Sequence, residues 1–267
     1  MTIVLASIAD KGNAIVMASD RMLARGQLSY QFEHDSPKIR VIGSYLLGYA
    51  GTTSYGDDII SHEYKNTQKG TVRDFIDEFS AFYIKYGNKI VSRVLLESVG
   101  LTLETFNKNP TAYPVPLQQK VYDGLGKAKL NVSIIVCGYD NEQPKLYVVG
   151  EYGVFHSAHS IGYVAIGIGE PHAANFYMVN GYTRDTPLKE AVYFAYRAKK
   201  SAEIAGGVGQ CTDIYILHKG KNAVSYHDGS DVIKQLDAIH EHHKEKTSVL
   251  YKEMVPEINK LDLEAKK

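Results

Sequence analysis

Residues 2–20 read Thr2-Ile3-Val4-Leu5-Ala6-Ser7-Ile8-Ala9-Asp10-Lys11-Gly12-Asn13-Ala14-Ile15-Val16-Met17-Ala18-Ser19-Asp20. Two apolar, β-branched runs, Thr2 to Ala9 and Asn13 to Ser19, flank Asp10-Lys11-Gly12, whose composition suits a tight reversal. The stretch predicts a β-hairpin. A second pair of runs, Ser36 to Ile42 and Tyr45 to Ala50, turns on Gly43-Ser44. Four strands are therefore expected in the first fifty residues.

Beyond them the period changes. Tyr55, Ile59, Ile60 and His62 recur at helical spacing from Thr53, with Asp57 and Asp58 placed to suit the positive end of a helix dipole. Thr71, with Asp74 three residues on, predicts the cap of a long helix carrying Phe75, Ile76, Phe79, Phe82, Tyr83, Tyr86, Ile90, Val94 and Leu95. Pro110, Pro114 and Pro116 make Asn107 to Lys120 read as an irregular connection. Strand-like runs resume at Asn131 to Gly138, Lys145 to Val149, Gly153 to Ser157 and Gly162 to Ile168. Two helices follow, the second with Thr186 as cap and Pro187 at its first position. Asp213 to Leu217 and Asn222 to His227 close a hairpin on Lys219-Gly220-Lys221, and Asp231 to Lys267 reads as a charged helix broken or kinked at Pro256. Blocks of strands alternating with paired helices predict an α+β fold, with antiparallel sheets and helices layered outside them.

The 267 residues span one large domain or two ordinary ones at roughly 150 residues each. Lys plus Arg and Asp plus Glu number 30 each, so no net positive charge is present to neutralise phosphates, which argues against a nucleic-acid partner. With 44% hydrophobic and 22% charged residues the chain has the composition of a globular protein with a sizeable core. No run approaches 18 apolar residues and the first ten lack a basic and apolar leader, so neither a membrane span nor a signal peptide is expected, and the location expected is cytoplasmic. Cys137 and Cys211 both fall in apolar, strand-like runs and make neither a disulfide framework nor a zinc site.

Several patterns invite chemistry and are outweighed. Gly167-Ile168-Gly169 has His172 where a dinucleotide loop needs its third glycine, so it reads as a tight strand-to-helix turn. Gly206, Gly207 and Gly209 read as a helix stop, with no Lys-Ser/Thr after them to make a phosphate loop. His240, His242 and His243 stand beside Lys244 and Lys246 and read as a solvated face, so no metal and no other cofactor is expected.

Thr2 is different in kind. Removal of Met1 leaves it with a hydroxyl and a free α-amine, whose ordinary pKa of about 7.7–8.0 lets it take a proton near neutrality. Nucleophile and base then belong to one residue. Asp20 ends the second strand, Lys38 opens the third and Gly51 follows the fourth. If the four strands form one sheet, all these positions meet at one end of it. There Asp20 would orient Lys38, the lysine's field would lower the proton affinity of the Thr2 hydroxyl, and Gly51, at a helix start, would offer an N–H to an oxyanion.

The strings that carry these residues, Thr2-Ile3-Val4, Ala18-Ser19-Asp20-Arg21, Asp35-Ser36-Pro37-Lys38-Ile39 and Gly48-Tyr49-Ala50-Gly51-Thr52, resemble those of the proteasome β-type subunits and their single-gene relatives, the N-terminal nucleophile hydrolases. Thr186-Pro187-Leu188-Lys189-Glu190-Ala191 and Thr212-Asp213-Ile214-Tyr215-Ile216 resemble a later helix and strand of the same family. The resemblance implies a four-layer αββα sandwich over residues 2–228; a Pro-rich insertion around 105–125 and a helical extension over 229–267 are extra to the family's pattern. It implies a threonine peptidase or amidohydrolase with Thr2 as nucleophile, Asp20 and Lys38 as activating pair, Gly51 as oxyanion donor, and Tyr49 and Thr53 lining the substrate pocket. It further implies peptide or protein substrates, a homo-oligomeric ring or shell, and an ATP-dependent unfoldase as possible partner. Ile168 stands where the family carries a serine, and Ala202-Glu203-Ile204-Ala205-Gly206-Gly207 lacks the Asp and Ser that steady the α-amine. These departures fit a divergent single-gene member and keep open two alternatives: a non-catalytic assembly subunit, and a transpeptidase that passes the acyl group to an amine.

Overall fold

A computed structural model of the chain describes residues 2–25, 30–64, 70–127 and 129–260. The opening hairpin forms as β1 (Ile3–Ala9) and β2 (Ala14–Ser19), joined through a single 3-10 turn at Asp10–Gly12. Every residue of both strands is buried. Ile3, Leu5 and Ser7 face one side and Val4, Ala6 and Ile8 the other, so a covering layer is needed on each.

On one side that layer is a second sheet. β5 (Ile39–Ile42) and β6 (Tyr45–Gly51) pair as expected, but they join β7 (Val132–Asp140), β8 (Gln143–Val149) and β9 (Phe155–Ser157) in the order β5-β6-β7-β8-β9. The first sheet is ordered β10-β1-β2-β11-β12, with β10 (Tyr163–Gly167), β11 (Asp213–His218) and β12 (Val224–Tyr226). The four early strands thus belong to two facing sheets and not to one. Val4, Ala6, Ile8 and Met17 pack between the sheets against Ile39, Leu46, Ala50 and Ile135. Contact there is close: a Cβ on Gly48 would lie 2.6 Å from Val4 Cγ1 and 2.9 Å from Met17 Sδ.

Helices cover the outer faces, completing the four-layer sandwich. α1 (Thr53–Ile60) and α2 (Val72–Leu95) lie on the second sheet. Thr71 caps α2 as predicted: its hydroxyl accepts from Asp74 N at 3.1 Å while Asp74 accepts from Thr71 N at 2.9 Å. Phe75, Ile76, Phe79 and Tyr83 then bury against Leu47, Ile134 and Val136, each contributing roughly 1.5–3 kcal/mol relative to exposure. α5 (Glu170–Val179) and α6 (Leu188–Ala202) cover the first sheet, where Tyr177 donates to Ser7 Oγ at 3.3 Å. α6 is capped by Pro187 rather than Thr186, whose hydroxyl instead accepts from Thr183 N at 3.3 Å.

Three further elements depart from the sequence reading. Met22–Arg25 (β3) and Tyr30–Glu33 (β4) form an extra hairpin directly after Asp20. The proline-rich segment is helical, with α3 (Leu103–Lys108), a 3-10 turn at Pro110–Ala112 and α4 (Val115–Lys127) built round Phe106 and Val121. Its prolines sit at helix starts, where a missing N–H is tolerated. Cys211 precedes β11 in a loop, half-buried, whereas Cys137 is fully buried.

By its internal contacts the chain falls into two compact units, Met1–Ser225 and Tyr226–Lys267. In the second, α7 (Asp231–Ile258) continues through Pro256 and is not broken there; the expected helical stretch from 261 onward lies outside the described residues. No helix among the described residues is long and apolar enough to cross a membrane.

Candidate active site

Thr2 lies at the start of β1, 1% exposed, with its carbonyl accepting from Gly169 N at 3.4 Å. That carbonyl explains Gly167, which ends β10 with a φ of +100°: a Cβ there would lie 2.3 Å from Thr2 O and 3.2 Å from the Ala50 methyl. The ends of β1, β6 and β10 therefore meet at Gly167, and the Gly167-Ile168-Gly169 string serves as the tight turn the sequence suggested.

Asp20 follows β2 and folds back over the start of β1. Its Oδ1 accepts from the Thr2 hydroxyl, from Ile3 N at 3.2 Å and from Lys38 Nζ at 2.7 Å. Its Oδ2 accepts from Met22 N at 3.3 Å and from Gly209 N at 2.8 Å. Five donors thus hold one wholly buried carboxylate. Lys38 reaches it from the opposite sheet, just ahead of β5, and also donates to Thr2 Oγ1 and to Met22 O at 2.6 Å. The Thr2 hydroxyl oxygen consequently lies between an ammonium donor and a carboxylate acceptor. Burial holds Lys38 below the ordinary lysine value, and the facing charge of Asp20 opposes that fall. An ammonium with weakened hold on its proton is a stronger donor to a neighbouring oxygen.

Gly51 is the last residue of β6, with a φ of +119° and no room for a side chain: a Cβ would come 1.9 Å from Asn131 O. It does not start α1, because Thr52 is the N-cap and donates its own N–H to Asn131 O at 2.9 Å. Gly51 is therefore not at the helix start expected of it, and its N–H is that of a strand end. Tyr49 is 3% exposed beneath α1, with its ring against Gly56 and its hydroxyl donating to Asp57 at 2.9 Å. Thr53, the first residue of α1, lies beside the Tyr49 hydroxyl. Burial beside Asp57 drives the Tyr49 phenol upward from its ordinary value.

The sequence reading missed the groups that fix Asp20 from behind. Met22 belongs to the unforeseen hairpin, and Gly209 had the look of a mere helix stop. Glu33, on the same hairpin, accepts from Cys211 N at 2.8 Å and from the Cys211 thiol. Arg21 grips the buried Asp213 with two bonds of 2.8 and 2.6 Å. Lys199 was legible in principle, because Val192, Ala195, Tyr196 and Ala202 define an apolar stripe on α6 and Lys199 falls inside it. Among the described residues, no group of three or more His, Cys, Asp or Glu side chains could hold a metal ion.

No protein-family model and no curated protein matches the sequence. Solved structures do match, among them Anbu (ancestral beta-subunit) from Yersinia bercovieri, with a TM-score of 0.66 at 13% identity over 100% of both chains. The fold is that of a proteasome-like β subunit. In this proteasome-like sandwich, Thr2, Asp20 and Lys38 are brought together, all three buried, at the seam between the sheets where the ends of β1, β6 and β10 meet. At 13% identity the likeness speaks for architecture, and the chemistry has to be read from the side chains themselves.

Proposed function

We propose that the chain is a threonine-type N-terminal nucleophile hydrolase acting on peptides or proteins after loss of Met1. The observation that carries this reading is the placement of Thr2 Oγ1 between Lys38 Nζ and Asp20 Oδ1 on residue 2 of the chain. Thr2 Oγ1 attacks the substrate carbonyl carbon and its proton passes to the Thr2 α-amine, directly or through water. The oxyanion is stabilised by the Gly51 N–H. Collapse breaks the C–N bond, and the leaving amine takes the proton from the α-ammonium. Water, activated by the same amine, then hydrolyses the ester on Thr2 and restores it. An amine in place of water turns the second half into transpeptidation.

Lys38 lowers the proton affinity of the hydroxyl, Asp20 orients Lys38 and Thr2, and Thr53 lines the edge next to Gly51, with the buried Tyr49 backing it from beneath α1. Residues 2–228 constitute the hydrolase domain, including the insertion around 105–125, and 229–267 its helical extension. The proteasome-like fold supports assembly into a homo-oligomeric ring or shell, working in the cytoplasm with an ATP-dependent unfoldase as partner. A second reading, a subunit that keeps the sandwich only for assembly, draws support from the burial of Thr2 and from Ile168, which is 48% exposed where a polar partner would serve the amine.

Intact mass decides between them. The peptidase reading expects Met1 to be absent and a peptide vinyl sulfone to add once, on Thr2, with Thr2→Ala inert and assembling normally. Active protein that retains Met1, or equal turnover by Thr2→Ala, overturns it.

A further inference from the structure

We infer that Lys199, which lies outside the Thr2, Asp20 and Lys38 group, is a positioning residue for it, setting the place of the Asp20 carboxylate through the backbone of Gly209. The inference rests on the reading of Thr2 as nucleophile. Lys199 projects from the last turn of α6 and is wholly buried. Its three ammonium hydrogens have three acceptors: Glu203 Oε1 at 2.6 Å, Gly209 O at 2.7 Å and Gln210 O at 2.8 Å. Two of these are main-chain carbonyls of the loop between α6 and β11, and they pin consecutive peptide units. The N–H of the same Gly209 is the donor to Asp20 Oδ2 at 2.8 Å. Gly209 packs closely on the hairpin that follows Asp20: a Cβ on it would come 2.3 Å from Glu33 Oε1 and 3.0 Å from Met22 Cβ.

A surface role for Lys199 does not account for this geometry. A helix ion pair with Glu203 alone does not require full burial, as Lys200, 18% exposed, shows by reaching the same carboxylate at 3.1 Å. Burying an ammonium is unfavourable, and desolvation lowers the pKa of Lys199 against the opposing field of Glu203. Methionine would fill the same volume without that penalty. What methionine lacks is three donors aimed at carbonyls. The segment 202–207 offers the site no polar side chain of the kind its family resemblance predicts, and here a buried cation acting through Gly209 orders that side of the site instead.

The test is the rate at which a peptide vinyl sulfone captures Thr2 in the full chain lacking Met1, followed by intact mass. In Lys199→Met the limiting rate of capture falls about 10–100-fold while the half-saturating concentration stays within about two-fold, as expected when a reacting group is misplaced without loss of the binding surface. Lys199→Gln, which retains two donors for the two carbonyls, recovers most of that loss. Glu203→Gln leaves the rate within about two-fold of the parent, because the carbonyl bonds remain. Equal rates in Lys199→Met and the parent overturn the inference, as does a Glu203→Gln loss matching that of Lys199→Met. No capture in the parent protein defeats the nucleophile reading instead. Should Lys199→Met fail to fold, amide exchange in the parent decides: a Gly209 amide as protected as those of β2 is expected, and one exchanging at the loop rate overturns the inference.

Discussion

At the seam where Thr2 lies, the buried groups are charged: Asp20, Lys38, Lys199 and Asp213, the last gripped by Arg21. Between the second sheet and α2 they are rings, with Tyr45, Tyr64, Phe75 and Phe79 in edge and face contact and Tyr83 buried in the same cluster. Both regions exclude water, yet they respond to change in opposite ways. Ring packing is non-directional, and a truncated ring leaves a void that neighbours partly fill. Each charge at the seam has a specific partner, and removing one strands the other in a medium that solvates it poorly. The aromatic layer supplies bulk stability that chemistry does not depend on. The charged seam supplies geometry, at some expense in stability.

The sharpest way to break that contrast is Asp20→Asn. It keeps the shape of the carboxylate but leaves Lys38 buried opposite a neutral group, so a loss of about 3–5 kcal/mol is expected in urea unfolding, together with loss of Thr2 capture. Adding Lys38→Met should restore most of the stability and none of the capture. Recovery of both would mean that the seam is structural only. Phe79→Ala supplies the converse, with a loss of about 3–5 kcal/mol and an unchanged capture rate per folded molecule. A slower rate in the folded fraction would show that the aromatic layer also tunes the site.

The smallest effect at neutral pH grows large in alkali. Burial raises nine described tyrosines above their ordinary value, Tyr45, Tyr49, Tyr64, Tyr83, Tyr86, Tyr139, Tyr177, Tyr182 and Tyr215. A raised folded value means that the folded state holds protons which the unfolded state releases from about pH 10, so stability is complete below that pH and falls above it. The lowered values of Lys38 and Lys199 act in the other direction, adding stability as pH rises toward about 10.5, and there their effect ends. Above about pH 10.5 the two lysines no longer offset the nine tyrosines, so falling stability is expected there, with the tyrosinate absorbance of these nine appearing together with loss of far-ultraviolet dichroism. Exposed rings such as Tyr122 and Tyr251 contribute absorbance in the intact protein, so it is absorbance reaching its full value while the dichroism is intact that would mean the nine rings are open to solvent.

These tyrosines also show how far the sequence could be read. Their abundance, 20 with no tryptophan, has no evident purpose in the sequence, whereas the fold gives their rings a core and their hydroxyls backbone carbonyls, as for Tyr83 on Val132 O at 2.8 Å and Tyr182 on Ile8 O at 2.8 Å. The hairpin of residues 3–19 and the Thr71 cap were legible because their signals are local. Which sheet β5 and β6 would join was not, because pairing with β7 is decided eighty residues away by a common apolar face. The prolines of the insertion read as breakers because a proline opening a helix and one interrupting it look alike until the helix start is known. Thr2, Asp20 and Lys38 stood out by their positions at strand ends. Lys199 did not, because a lysine on a helix is ordinarily solvated, and only its place within the Ala-rich stripe of α6 marked it.

Lys38 stands on one sheet, and Thr2 and Asp20 on the other, so the site straddles what would otherwise be a slip plane. Gly48, pressed under Val4 and Met17, acts as a detent on that plane: the sheets interlock where any side chain on residue 48 would force them apart. A shear of about 1 Å would be small for a sandwich but is the whole tolerance of an aligned nucleophile. The molecule therefore resembles a vernier, in which the registration of two large plates sets the spacing of three atoms at their common edge.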